Sequence, residues 1–78
     1  MKAFRRLGCT VQSLATVGSG CPDLIVGIPT NRVILVEVKD GDTAKLTPDQ
    51  EVWHSNWATP VHIVRHLGEV ISLVNAYR

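Results

Sequence analysis

Asp23, Glu37 and Lys39 are the residues whose types and spacing point to chemistry. Asp23 opens the apolar run Leu24-Ile25-Val26-Gly27-Ile28, while Glu37 and Lys39 close the run that begins at Val33. Read as the two strands of a hairpin, these runs bring the three charged residues to one end of an otherwise apolar element. Charges placed there are costly to bury unless something pairs with them. A hard divalent cation such as Mg²⁺ or Mn²⁺ would do so, because it takes oxygen ligands and needs only one or two carboxylates when waters and a phosphate complete its shell. Asp23 and Glu37 can supply the carboxylates, and the main-chain carbonyl of Val38 is a candidate third ligand. Lys39 would then orient or help deprotonate an attacking water, or stabilise charge building on a phosphoryl oxygen. Glu-x-Lys alone reads more simply as a same-face pair on a strand, with Asp23 capping a turn. Pro22-Asp23 ahead of an apolar strand reverses that balance.

Several elements must position these residues. Residues 1–7 form a short basic stretch, either a frayed start or a helix stub, which Gly8 interrupts. Residues 9–17 alternate and are rich in β-branched side chains, so a strand is expected there. Gly18-Ser19-Gly20-Cys21-Pro22 is a turn signal, with glycines suited to positive φ and a proline that extends Cys21. The run Leu24–Ile28, bounded by Pro22 and Pro29, suits a strand buried on both faces. Pro29-Thr30-Asn31 supplies the next turn. Residues 32–39 give the clearest strand, and its period of two places Val33, Leu35, Glu37 and Lys39 on one face. Asp40-Gly41-Asp42 turns the chain again. Thr47-Pro48-Asp49-Gln50 then starts a helix: Thr47 as N-cap, Pro48 at the first helical position, and Gln50 where a capping box needs it. That helix is expected to reach about Ala58, with Gln50, Trp53, His54 and Trp57 on one side and both tryptophans laid on the sheet. Residues 60–65 read as a last strand. Leu67-Gly68-Glu69 opens a C-terminal helix whose apolar face (Val70, Ile71, Leu73, Val74, Tyr77) is broader than one small sheet covers. The fold class is therefore α/β, a small mixed sheet of about four strands flanked by helices, in one domain over residues 1–78.

Composition narrows the classes of function. A chain of 78 residues, 45% of them hydrophobic, has a thin core, and added stability from a metal or from self-association is expected. The net charge of +1 does not advertise a polyanion partner held by charge alone. Local clusters remain: Lys2, Arg5 and Arg6 at the start, and Arg32, Lys39 and Lys45 near the proposed site in sequence. Two cysteines, Cys9 and Cys21, are too few for a disulfide framework, so an intracellular, reduced setting is expected. No run approaches the ~18 apolar residues of a membrane helix.

Other residues carry weaker signals. His54, His62 and His66 fall on a helix, a strand and a strand end, and form no zinc ligand set. Trp53 and Trp57 could stack on bases, yet at a spacing of four they read first as core. Cys21 reads as a small buried residue. For Gln50 the capping box suffices without any substrate, and a place in the site is the competing reading.

Taken together, Gly20-x-Pro22-Asp23, Glu37-x-Lys39 and Leu46-Thr47-Pro48-x-Gln50 resemble the PD-(D/E)xK nuclease superfamily and, within it, the VRR-NUC family. The resemblance spans residues 18–53, in the right order and spacing. It implies a Mg²⁺- or Mn²⁺-dependent DNA endonuclease in which Asp23 and Glu37 hold the metal, Lys39 assists hydrolysis and Gln50 stands at the edge of the site. Short members resemble Holliday-junction resolvases, so a homodimer nicking a four-way junction is expected, in the cytoplasm of a bacterium or of a phage-infected cell. The sequence departs from the family in one respect. Members carry a glutamate on a helix ahead of the first strand, and here no acidic residue precedes Asp23, which leaves a second metal without that ligand. A non-catalytic nucleic-acid-binding or assembly module of the same fold is the alternative of a different class. A nicking endonuclease acting on duplex DNA is the alternative within the enzyme class.

Overall fold

The computed structural model describes residues 2–29 and 32–78. Its elements run α1 (Lys2–Arg6), β1 (Thr10–Ser13), β2 (Leu24–Ile28), β3 (Arg32–Val38), α2 (Pro48–Asn56), β4 (Val61–Val64) and α3 (Leu67–Tyr77). The four strands form one mixed sheet in the order β1-β2-β3-β4. β1 and β2, and β2 and β3, pair antiparallel, whereas β3 and β4 run parallel. The parallel step requires a crossover, and α2 lies within it. Of the turn expected at Pro29-Thr30-Asn31, Thr30 and Asn31 lie outside the described residues, as does Met1.

The register assigns the two faces of the sheet. Val11 pairs with Val26, and Val26 with Ile34, so these residues share one face with Leu24, Ile28 and Val36. α1 and α3 cover that face, adding Phe4, Val70 and Val74 to its core. The N-terminal stub is thus a helix, and Phe4 is among its largest fully buried side chains. Burying it stabilises the fold by about 2–3 kcal/mol. In α3, Val70 and Val74 are buried while Leu67 and Ile71 are exposed, so its apolar face does exceed what the sheet covers.

Three expectations need correction here. The first strand stops at Ser13 rather than continuing to residue 17: Leu14 N–H donates to the Asp23 carbonyl and residues 15–17 turn away. Ala15, Thr16 and Val17 are exposed, with no core to pack on, and β-branching does not extend a strand without one. β2 is buried on one face alone, because Ile25 and Gly27 on the other are only half-buried. Nor do the tryptophans join the core. α2 buries no residue; Trp53 and Trp57 stack on each other with ring centroids 4.7 Å apart, and Trp57 is 48% exposed.

Candidate active site

The face of the sheet opposite α1 and α3 carries Glu37. Period two sends Ile34 and Val36 into the core and Val33, Leu35 and Glu37 the other way. Val33 on that face is 74% exposed, yet Glu37 is only 1% exposed. What covers Glu37 is the start of β2 on one side and the first turns of α2 on the other.

Asp23 arrives by strand pairing. Leu24 lies opposite Val36, which places Asp23 beside the end of β3, where its Oδ2 accepts the Val38 N–H at 2.8 Å. The carboxylate thus takes up a main-chain donor that has run past the end of β2. Val38, considered for its carbonyl, meets Asp23 through its N–H. Lys39 N–H continues the ladder to the Val64 carbonyl at 3.0 Å, which holds the β3 terminus against β4.

α2 is seated by its own first turn. The Thr47 hydroxyl accepts the Gln50 N–H at 3.2 Å and the Gln50 Oε1 accepts the Thr47 N–H at 2.9 Å, a complete capping box with Pro48 in the first turn. Gly20 lets this turn approach. It has φ +86°, and a Cβ there would lie 2.3 Å from the Asp49 carbonyl oxygen, a distance no side chain tolerates. The loop between β3 and α2 is held by the Arg65 guanidinium, which donates to the Gly41 carbonyl at 3.0 Å and also to that of Ala44. His66 pairs with Asp42 in the same loop.

With α2 so placed, Gln50 does two things at once. Besides closing the capping box, its Oε1 accepts from the Lys39 ammonium at 2.7 Å, and its Nε2 donates to Glu37 Oε2 at 3.3 Å. Capping and contact with the site, set against each other as readings of the sequence, are both present. One turn further along, His54 Nε2 faces Glu37 Oε1 at 3.5 Å. As one of three histidines that form no zinc ligand set, His54 is not singled out by the sequence. Its position four residues after Gln50, on the same face of the helix, was the available signal. His62 and His66 lie elsewhere, bonded to Tyr77 and Asp42.

The electrostatics are those of a site short of positive charge. The Asp23 and Glu37 carboxyls are close enough to hydrogen-bond, which needs a proton on one of them. Burial first, then that bond and the charge of Asp23, push Glu37 up to about 7 against the opposing pull of Lys39. Burial and then the Lys39 charge push His54 below its ordinary value. Cys21, half-buried rather than buried, has its thiol pushed up by burial and then by the charges of Glu37 and Asp23. It therefore borders the site.

The sequence matches the VRR-NUC domain family over residues 1–62. This chain belongs to that family. A solved structure described as a VRR_NUC domain is 31% identical, with a TM-score of 0.80 over 99% of this chain and 87% of that one. Among curated proteins none matches. The VRR-NUC fold is nuclease-type, and its members generally use divalent metals. The donors present here fit such an ion. Glu37 Oε1 is buried without a hydrogen-bond partner among the described residues, and a cation would relieve the repulsion between the two carboxylates. Among the described residues no three histidine, cysteine or carboxylate side chains form a metal cluster, so a main-chain oxygen or water has to complete the shell. No helix among the described residues is long and apolar enough to cross a membrane.

Proposed function

We propose that this VRR-NUC chain is a divalent-metal-dependent DNA endonuclease, acting as a homodimer on branched DNA and at four-way junctions in particular. One observation carries the reading: Asp23, Glu37, Lys39 and Gln50, drawn from three separate elements, meet around a carboxylate that is buried yet only partly satisfied. A structural ion pair would need neither the second carboxylate nor the glutamine that links Glu37 to Lys39.

Asp23, Glu37 and the Val38 carbonyl would hold Mg²⁺ or Mn²⁺, which when bound supplies a Lewis acid for the phosphoryl group and an activated water. The chain's own residues do the rest. The Val38 N–H fixes the Asp23 carboxylate, and the Gln50 amide fixes Glu37. The Lys39 ammonium, aimed by Gln50 Oε1, is placed to neutralise charge that develops on a phosphoryl oxygen, where a preoriented cation in a partly dry site is most effective. Exposed Val33 on the same sheet face, and Leu67 and Ile71 on α3, leave apolar surface for a second copy. A symmetric pair would present two sites to opposing strands of a junction.

The test is cleavage of labelled four-way junctions, flaps and linear duplex by purified protein with Mg²⁺ or Mn²⁺, with size measured by light scattering. Junction-selective nicking by a dimer, lost in Asp23→Ala and Glu37→Ala, is the expected result. If every substrate survives in both metals, the chain is a binding module and the enzymatic reading is wrong.

A further inference from the structure

Trp53 and Trp57 are large apolar side chains that neither the core nor the catalytic cluster uses. Their rings stack with centroids 4.7 Å apart and planes 17° from parallel, and Trp57 is exposed, as is Val52. The Trp57 indole is also pinned, because its Nε1–H donates to Thr59 Oγ1 at 2.9 Å. With that polar handle satisfied, what the residue presents outward is a flat apolar ring in one orientation, ordered before any ligand arrives.

The two rings line an open cavity of about 430 Å³ together with Ser19, Asp49, Val52 and Asn56. That volume falls in the ~300–1,000 Å³ range of small-ligand clefts, with room for one planar group the size of a base. The lining selects its chemistry. Among the described residues no basic side chain lines the cavity, and α2 carries Asp49 and Glu51 in its first turn, so a phosphate is repelled there. An uncharged ring is not repelled: it stacks on the indoles, while the Ser19 hydroxyl, the Asp49 carboxylate and the Asn56 amide offer donors and acceptors to its edge. An apolar side chain from a protein partner would desolvate those three groups without pairing them.

α2 also sets the distance from this cavity to the reaction. Asp49 adjoins Gln50, which touches both Glu37 and Lys39, and the Trp53 ring lies 6.4 Å, centroid to centroid, from the ring of His54, which faces Glu37. From Gln50 to Trp57 the helix rises roughly 10 Å at ~1.5 Å per residue, the length of about three base steps at ~3.4 Å each.

We propose that Trp53 and Trp57 form a stacking platform for one unpaired nucleobase, on the DNA strand whose phosphate lies at Asp23 and Glu37 and within about three nucleotides of that phosphate. The inference rests on the DNA nuclease reading above and adds to it a base subsite. In a continuous duplex each base sits in its own stack and is costly to extract, whereas in a flap or at a branch point the base is already released or more easily so. The platform therefore favours branched over linear DNA without reading sequence, since every base has a π-face.

Binding measured apart from cleavage tests the platform. The full chain is titrated in Ca²⁺, with strand integrity checked on a gel, against labelled flaps and four-way junctions in which one abasic nucleotide is moved position by position through the branch. In the wild type the abasic change is expected to weaken binding at one position or its neighbour, by roughly 5–150-fold, and at no others. Trp57→Ala should bind intact branched DNA more weakly by a similar factor and be indifferent to where the abasic nucleotide lies, while Trp57→Tyr restores most of both. Tight wild-type binding with a flat abasic scan overturns the platform and leaves the nuclease reading intact. Trp57→Ala that binds as the wild type does overturns it equally. A flat scan in a wild-type dimer that Trp57→Ala turns into a monomer overturns it in favour of a second copy on the rings. A wild-type chain that binds none of these DNAs removes both the inference and the reading beneath it. The wild-type scan is decisive even if a variant folds poorly.

Discussion

The Gln50 side-chain carbonyl accepts the Lys39 ammonium at 2.7 Å while also accepting the Thr47 N–H that starts its own helix. Local helix chemistry and the chemistry of the site therefore pass through a single amide, and substitution can separate them. Glutamate keeps the capping box and the acceptor for Lys39 but removes the Nε2 donor to Glu37. Gln50→Ala removes all three contacts. At pH 6 we expect Gln50→Glu to unfold within ~0.5 kcal/mol of wild type, and Gln50→Ala about 1 kcal/mol earlier. Both lose cleavage on the order of 10–100-fold. Urea denaturation beside a junction-nicking assay checks this; equal activity in Gln50→Glu would show that the amide serves the helix alone.

Glu37 ties the stability of the metal-free protein to pH. Its carboxyl titrates at about 7 in the fold against an ordinary value of 4.5, so the folded state holds the proton more tightly than the unfolded chain. A raised value contributes stability that is complete below 4.5 and is lost as pH rises through about 7. The metal-free protein should therefore melt lower at pH 8.5 than at pH 5, by an amount on the order of 1–3 kcal/mol. Glu37→Gln, which cannot ionise, should flatten that slope and match or exceed wild type at pH 8.5. Saturating Mn²⁺ should cancel the loss, because the cation replaces the proton. Calorimetric melts with and without chelator distinguish these outcomes, and a wild-type melting point that rises from pH 5 to 8.5 without metal would contradict the burial argument.

Gly20 tests how α2 is seated. Any Cβ there meets the Asp49 carbonyl at 2.3 Å, and the residue holds φ +86°, so both space and backbone exclude a side chain. Gly20→Ala should cost about 2–3 kcal/mol and should lower metal affinity as well, because α2 must withdraw from Glu37. Gly18, with φ +75° and open space around it, is the control: Gly18→Ala pays for backbone strain alone and leaves metal binding unchanged.

Much of this was legible in the residues. The hairpin, the shared face of Glu37 and Lys39, and the capped start of α2 follow from period two, apolar runs and the Thr47 to Gln50 pattern, all of which depend on neighbours in sequence. What escaped depends on partners distant in sequence. Phe4 reads as part of a basic tail until α3 closes over it. Trp53 and Trp57 read as core because their spacing fits one helix face, but they stack on each other outside the core instead. His54 lies on the same face as Gln50, and nothing local distinguishes a histidine aimed at a buried carboxylate from one aimed at water.

The exposed tryptophan stack has its own consequence for stability. Trp57→Ala removes a ring that is half in solvent and should cost less than ~1 kcal/mol. Val74→Ala empties a fully buried position and should cost about 2–3 kcal/mol. Native tryptophan emission should be red-shifted and open to acrylamide quenching. A blue-shifted, protected emission in the monomer would place the rings in a core after all.

Lys39 separates chemistry from metal binding. Its ammonium contacts Gln50 rather than either carboxylate, and its charge lowers the Glu37 value against the three effects that raise it. Removing that charge in Lys39→Met leaves Asp23 and Glu37 in place and takes a cation from beside the metal's own position. Affinity for Mn²⁺ should therefore hold or rise, while cleavage falls on the order of 10²–10³-fold through loss of a preoriented positive charge. Asp23→Ala should do the reverse, weakening the metal first, so that added Mn²⁺ restores part of its activity and none of that of Lys39→Met. Single-turnover cleavage across a Mn²⁺ titration compares the two. If excess metal rescues Lys39→Met, the ammonium serves to hold the site together, and the charge on the phosphoryl group is met by something else.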